Sequence, residues 1–282
     1  MARISREDVL ERALLLDGGD GHPTDFLYTS WIALLLVVFQ WLCDRTLVPA
    51  LARKLEKMGR KDRAQQVFAN IYIVVWSVAT EILAVYVTVY ENGGCTPWST
   101  GPCLTGWPHH SLTKLQRLYM VLMFQFYLHE MVGSLLGIGS PLKTDMLVHH
   151  VATMGLIFGA YTVNVTRYGI MWQALFDTSN PLLHAAKAFN SLEMPQFETA
   201  KWFFFLSFAL TFFLARVAAA PAVILYPALS KAPGILPNVY SYPLIALMAV
   251  VCGIQYVWFE KIVRLAVKGG DKSPGKTQVK EE

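Results

Sequence analysis

Residues 143–157 read KTDMLVHHVATMGLI, and residues 176–190 read FDTSNPLLHAAKAFN. Both stretches are apolar enough to lie in a bilayer, yet they carry His149, His150 and Asp177. Ionisable side chains cost several kcal/mol at membrane depth, so those that occur there usually mark a functional site. The two stretches therefore predict a membrane protein whose site lies among its helices.

The whole chain has the composition of a membrane protein. Of its 282 residues, 54% are hydrophobic and only 16% are charged, and its mean hydropathy is +0.39. Because a backbone in lipid must satisfy its own hydrogen bonds, the apolar stretches should be helices. We predict an all-α fold, a polytopic membrane bundle of about seven transmembrane helices. The predicted spans are residues 26–43, 67–90, 118–138, 146–163, 168–189, 202–225 and 239–259.

The distribution of charge predicts how the bundle is oriented. Lysines and arginines crowd the first connection between spans, whereas the N-terminal segment has more acids than bases. Under the positive-inside rule the N-terminus is lumenal and the C-terminus is cytosolic. We predict four parts: a lumenal segment 1–25, a first anchor 26–50, a transmembrane domain 51–267 and a disordered cytosolic tail 268–282. Contact with anionic lipid explains the basic connection better than binding of nucleic acid.

Two of the four cysteines, Cys95 and Cys103, share the predicted lumenal loop 91–114. They could pair in an oxidising compartment, and the sequence leaves this open.

Polar residues recur at helical spacing along the fifth predicted span. Gln173, Asp177, Asn180 and His184 fall at i, i+4, i+7 and i+11, so they line one face of a helix. Pro181 cannot donate to the Asp177 carbonyl, and we expect a kink with a free backbone oxygen there. The face could line a functional cavity or form a polar seam between helices.

Histidines mark the fourth and third predicted spans. His149 and His150 point about 100° apart on a helix, so one can face a cavity while the other meets a neighbouring helix. Thr153 lies one turn further on, and Gln125 and His129 form an i, i+4 pair on the third span. A packing role for these histidines stays open. The spacing does not suit a di-iron site, and we expect no metal.

At these residues the chain resembles the TLC-domain membrane proteins, and among them the ceramide synthases. The family motif begins approximately K-D-x-x-x-x-H-H-x-x-T-x-x-L-I, continues Y-x-x-N-x-x-R-x-G and ends H-D-x-S-D-x-L-L-E-x-A-K-x-x-N. The matching residues are Asp145, His149, His150, Thr153, Leu156, Ile157, Tyr161, Asn164, Arg167, Gly169, Asp177, Ser179, Leu182, Leu183, Ala186, Lys187 and Asn190. The chain departs from the motif at Phe176, Asn180 and His184, where the family has His, Asp and Glu.

The resemblance implies an enzyme of the endoplasmic reticulum membrane that moves a long acyl chain from acyl-CoA to the amine of a sphingoid base. One of His149 and His150 would be the general base or the acyl-accepting nucleophile, and the other would act with Asp177 to orient the ring. We expect Asn180, Thr153, His184, Gln173, His129, Gln125 and Phe176 to contact substrate. Phosphates of coenzyme A could meet Arg53, Lys54 or Lys201.

Acyl-CoA is then a co-substrate, and no cofactor stays bound. The expected partners are acyl-CoA, a sphingoid base or another lipid, and membrane lipids, with no nucleic acid; a homodimer is left open. The main alternative is a non-catalytic TLC-domain protein that binds, senses or transports lipid. A third is an acyltransferase for another amine or alcohol.

Overall fold

The computed structural model describes residues 6–15 and 19–270, and most of them are helical. The α-helices are α1 (Arg6–Ala13), α2 (Asp25–Tyr28), α3 (Ser30–Glu56), α4 (Ala64–Tyr86), α5 (Lys114–Leu136), α6 (Thr144–Thr162), α7 (Thr166–Asp177), α8 (Asn180–Leu192), α9 (Glu198–Phe212), α10 (Tyr226–Lys231) and α11 (Asn238–Gly270). Within the described ranges the only β-type pairings are two isolated bridges. The all-α prediction is confirmed.

Four helical stretches of the described chain are long and apolar enough to cross a membrane. They are Asp25–Glu56, Lys61–Glu91, Pro195–Gly234 and Asn238–Lys268. The third of these runs from α9 into α10 through two segments of π-helix. These stretches make the chain a membrane protein, but the predicted count of about seven spans is not confirmed. The other predicted spans are less apolar or shorter, since α5 carries several buried polar side chains and α7 and α8 are separate helices.

The helices pack on one another in a bundle. α8 packs between α4 and α9, α6 packs on α11, and α5 packs on α3 and α6. Small residues let α6 and α11 approach closely, because a Cβ atom at Gly159 would lie 2.5 Å from the Leu244 side chain. Most of these helices contribute to the lining of the internal cavity described below.

The predicted fifth span, residues 168–189, is divided in two. α7 ends at Asp177 and α8 begins at Asn180, with Pro181 in its first turn, where a missing N–H costs nothing. We predicted a kink within one helix, and the structure instead has a break at residues 178–179. The break frees carbonyl groups at the end of α7, and the Phe176 oxygen accepts a hydrogen bond from Arg216 Nε at 2.7 Å.

A buried ionic cluster attaches the N-terminal part of the chain to one end of the bundle. The Asp25 carboxylate is fully buried and lies 3.0 Å from Arg12 Nη1 and 3.4 Å from Arg117 Nη2. The Tyr161 hydroxyl donates to the same carboxylate at 2.7 Å. Because each charge has a partner, the cluster can be buried without leaving an unpaired ion.

Two sequence-based expectations concern the ends of the bundle. Cys95 and Cys103, whose pairing the sequence left open, form a disulfide bond in the connection between α4 and α5. The predicted tail, residues 268–282, begins inside α11, which continues to Gly270. Residues 271–282 lie outside the described residues, as do residues 1–5 and 16–18 of the predicted N-terminal segment.

Candidate active site

A cavity of about 1260 Å³ lies among the helices, and most of its lining comes from α4, α5, α6, α7, α8, α9 and α11. It is larger than the roughly 300–1,000 Å³ of most small-molecule pockets. Eight of the residues that we predicted for the site line it, namely His149, His150, Thr153, Gln173, Phe176, Asp177, Asn180 and His184. The structure therefore brings together predicted site residues of two spans that are separate in sequence, the fourth and the fifth.

His149 faces this cavity from the second turn of α6. Its side chain is buried, and its Nδ1 atom has no hydrogen-bond partner in the described part of the chain. The ring is held by aromatic packing, with the Trp258 ring edge-on at 5.1 Å between centroids. One turn further along α6, the buried Thr153 hydroxyl also has no partner among the described residues. An imidazole and a hydroxyl are thus left available in the same wall.

His150 is held quite differently from its neighbour. Its Nδ1 bonds to the Met146 carbonyl oxygen at 2.8 Å, and its Nε2 lies 2.8 Å from Glu130 Oε2 on α5. We predicted that one histidine would meet a neighbouring helix, and His150 does so. The carboxylate that orients this ring is Glu130 rather than the predicted Asp177, because α5 is the helix that packs on this side of α6.

Asp177 is the last residue of α7, and both of its carboxylate oxygens accept hydrogen bonds. Gln173 Nε2 donates to Oδ2 at 3.2 Å, and Asn180 Nδ2 donates to Oδ1 at 2.9 Å. Further along the same face, His184 Nδ1 lies 2.9 Å from Asn70 Oδ1 of α4. The predicted polar face therefore lines the cavity. Asp177 bonds to two residues of that same face, Gln173 and Asn180, and not to a histidine.

Arg216 is a site residue that the sequence analysis did not select. It lies in the π-helical segment after α9 with 5% of its surface exposed, and it lines the cavity. Its Nη2 donates to Asn180 Oδ1 at 2.5 Å, and its guanidinium lies 5.6 Å from the centre of the Phe176 ring. A lone arginine in the apolar stretch 202–225 was the signal that could have identified it.

A second polar wall, also missed, comes from α4. Gln66, Asn70, Ser77 and Thr80 fall at i, i+4, i+11 and i+14 and all line the cavity. The spacing is the helical repeat that identified the α7–α8 face, so the sequence held the signal. The cavity therefore has polar side chains from α4 as well as from the α7–α8 face.

Two predicted substrate contacts are placed elsewhere. Gln125 and His129 are buried but do not line the cavity. Gln125 Nε2 donates to the Phe26 carbonyl oxygen at 2.8 Å, and His129 Nε2 donates to Gln40 Oε1 at 2.7 Å. Both side chains face α2 and α3 because α5 packs on those helices, so we no longer assign them to substrate.

Lysines surround the cavity at the end where α6 and α9 begin and α11 finishes. The lining includes Lys143, Lys187, Lys201, Lys261 and Lys268. Lys201 pairs with Glu198 at 2.6 Å, and Lys261 pairs with Asp145 at 3.2 Å. Of the three basic residues that we predicted for phosphate groups, Lys201 lines the cavity, whereas Arg53 and Lys54 are not part of its lining.

The fold and the cavity define a helical membrane protein with a polar site enclosed among its helices. The family model of the TLC domain matches residues 67–264, well over half of the chain. The chain therefore belongs to the TLC-domain family, and the resemblance read from the motif is confirmed.

Curated relatives agree with this assignment at modest identity. The chain is 27% identical to ceramide synthase 4 of Mus musculus over 169 residues, which are 60% of this chain and 42% of the relative. It is 26% identical to Alternaria stem canker resistance protein 1 of Solanum lycopersicum over 217 residues, 70% of this chain and 67% of that protein. It is 26% identical to the sphingosine N-acyltransferase-like protein FUM17 of Gibberella moniliformis over 162 residues, 56% of this chain and 40% of that protein. The chain thus spans about two-fifths of the length of two of these three relatives.

Proposed function

We propose that this protein is a ceramide synthase-like N-acyltransferase, which transfers a long acyl chain from acyl-CoA to the amine of a sphingoid base. The observation that carries the proposal is His149, a buried histidine without a hydrogen bond at Nδ1 in the wall of a large internal cavity. The names of the relatives, ceramide synthase and sphingosine N-acyltransferase-like protein, support this substrate class. The reaction uses acyl-CoA as co-substrate and needs no resident cofactor.

His149 is the better candidate of the two histidines for the base or nucleophile. Acyl transfer requires the amine to lose a proton and the thioester C–S bond to break while the C–N bond forms. A neutral imidazole can take that proton, or can first accept the acyl group itself. His150 has both ring nitrogens engaged, whereas the described chain leaves His149 Nδ1 free.

Other groups of the cavity can bind the acceptor. Gln173 Oε1 and the Thr153 hydroxyl are buried and lack partners among the described residues, so they can bond to hydroxyl groups of a sphingoid base. Asn180 uses its amide nitrogen on Asp177 and its oxygen on Arg216, and so it supports Asp177 rather than contacting substrate. His184 and Phe176 shape the wall, and the ring of Phe176 limits the space near Asp177.

The proposal includes a seven-span topology in the endoplasmic reticulum membrane, with a lumenal N-terminus and a cytosolic C-terminus. The lysine-lined end of the cavity then opens to the cytosol, where acyl-CoA is available, and its cations face the phosphate groups. The Cys95–Cys103 disulfide lies in the connection between α4 and α5, at the opposite ends of those helices from the basic connection. Its presence suits an oxidising lumen.

The test is acyl transfer from labelled acyl-CoA to a sphingoid base, measured in microsomes from cells that lack their own ceramide synthases. We expect product with the wild-type protein and a loss of about 100-fold or more in His149→Ala. His109→Ala, at a histidine outside the cavity, is the matched control and should keep full activity. Binding of acyl-CoA without any transfer would favour the non-catalytic alternative, and transfer only to another amine or alcohol in an acceptor panel would change the substrate.

A further inference from the structure

The His150–Glu130 pair has a geometry that suits a shared proton. A carbonyl oxygen and a carboxylate oxygen can only accept hydrogen bonds, so an imidazole that donates to both Met146 O and Glu130 Oε2 needs an N–H on each ring nitrogen. Neutral imidazole carries a single N–H. The arrangement therefore suits a pair that takes up one further proton and holds it between His150 Nε2 and the Glu130 carboxyl group over 2.8 Å.

The His150–Glu130 pair lies beside the proposed reaction centre. The ring centroids of His149 and His150 are 6.0 Å apart, and both residues line the cavity together with Glu130. The His150 side chain is 2% exposed and that of Glu130 is 20% exposed. Glu130 is thus the member of the pair through which a proton can reach a molecule in the cavity.

We propose that Glu130 is a catalytic acid and base that works with His150 as its proton store. This inference rests on the proposed acyl transfer. As His149 attacks the thioester carbonyl carbon and forms a bond to the acyl group, the C–S bond breaks, its electron pair moves to sulfur, and the Glu130 carboxyl group delivers the shared proton to that sulfur. Neutral coenzyme A thiol leaves, and the pair is one proton short. The amine then attacks the acyl group held on His149, the C–N bond forms as the bond to His149 breaks, and the amine proton passes to Glu130, which restores the pair.

Such a proton store has a physical purpose in an enclosed cavity. A thiolate in bulk water is solvated, but a thiolate formed among buried side chains would lose much of that solvation. Protonation during C–S cleavage avoids an uncompensated anion. The net reaction moves one proton from the amine to the thiol, and the pair supplies it in the first half and recovers it in the second.

The experiment compares two thioesters of the same acyl chain with purified full-length protein. One is acyl-CoA, whose alkyl thiol benefits from protonation; the other is a nitrothiophenyl thioester, whose strongly acidic thiol leaves without it. The measurement is single-turnover thiol release with and without a sphingoid base. For Glu130→Gln, which keeps the shape but cannot carry the proton, we expect a loss of about 100-fold with acyl-CoA and less than about 10-fold with the activated thioester.

Further variants separate chemistry from folding. Glu130→Asp retains a carboxyl group and should recover part of the activity with acyl-CoA. Glu91→Gln removes an acid near the start of α5, outside the cavity lining, and should behave as wild type. If Glu130→Gln does not purify as folded protein, Glu130→Asp replaces it and should still lose more activity with acyl-CoA than with the activated thioester.

The outcomes that overturn the idea are distinct. Equal losses with the two thioesters would reduce Glu130 to a structural role, and full activity of Glu130→Gln would remove it from the mechanism. In both cases the proposed function survives, since the wild type still transfers acyl groups. A wild-type protein that cleaves neither thioester would refute the proposed function, and the proton store with it.

Discussion

Replacing Arg216 by Met should strongly destabilise the bundle, because it leaves several buried acceptors without a donor. The guanidinium donates to the Phe176 carbonyl oxygen at 2.7 Å, to Asn180 Oδ1 at 2.5 Å and to Gln255 Oε1 at 3.3 Å. An unsatisfied buried acceptor costs about 1–3 kcal/mol. We therefore expect Arg216→Met to lower the free energy of unfolding by about 3 kcal/mol or more.

This cost is measurable as a thermal shift of the purified protein in detergent. For domains of 150–250 residues, 1 kcal/mol shifts Tm by roughly 2–4 °C, so Tm should fall by roughly 6–12 °C. The matched control is Arg264→Met on α11, because that side chain is 73% exposed and pairs with Glu260 one turn away. An exposed pair contributes about 0–1 kcal/mol at most, so this control should stay within about 3 °C of wild type.

The activity of the same variants tests the second part of the argument. Arg216 fixes the Asn180 amide, since its oxygen must accept from the guanidinium and its nitrogen must then face Asp177. Arg216→Lys keeps the cation and should lie between wild type and Arg216→Met in both Tm and acyl transfer. The reasoning fails if Arg216→Met melts within about 2 °C of wild type, because the three acceptors would then be satisfied in another way.

Three further changes have separate physical reasons. Gly159→Val should lower stability by about 1–3 kcal/mol through overpacking against Leu244, seen as a lower Tm. Trp258→Phe removes the indole N–H that donates to Asp145 at 3.0 Å, and chemical denaturation should show a cost of about 1 kcal/mol. Lys261→Met removes the exposed ammonium group that pairs with the Asp145 carboxylate, and chemical denaturation should show a loss of less than about 1 kcal/mol in the free energy of unfolding. A larger loss than for Trp258→Phe would contradict this ranking.

Local patterns allowed much of the fold and part of the site to be predicted. Gln173, Asp177, Asn180 and His184 share a face because a helical repeat needs no knowledge of the neighbouring helices. The all-helical class followed from composition, which likewise requires no knowledge of how the helices pack. The position of Pro181 indicated a distortion beside Asp177, although a full break between α7 and α8 depends on groups such as Arg216 that lie far away in sequence.

Pairing between helices could not be predicted in this way. Gln125 and His129 have the i, i+4 spacing of a site face, but which face of α5 meets the cavity depends on how α3 packs, and these two residues bond to Phe26 and Gln40 instead. The partner of His150 is another example, since Glu130 and Asp177 were both available in sequence. Periodicity places residues on a face and does not say what that face meets.

The three departures from the family motif are each accommodated by a partner on another helix or segment. His184 bonds to Asn70 of α4, and the ring of Phe176 lies beneath the Arg216 guanidinium. Asn180 accepts from Arg216 and donates to Asp177, which an aspartate could not do, because two carboxylates would then face each other. With Asn180 the neighbouring Asp177 has a donor on each oxygen. The departures therefore form a bonded arrangement around Asp177 rather than a loss of the polar face.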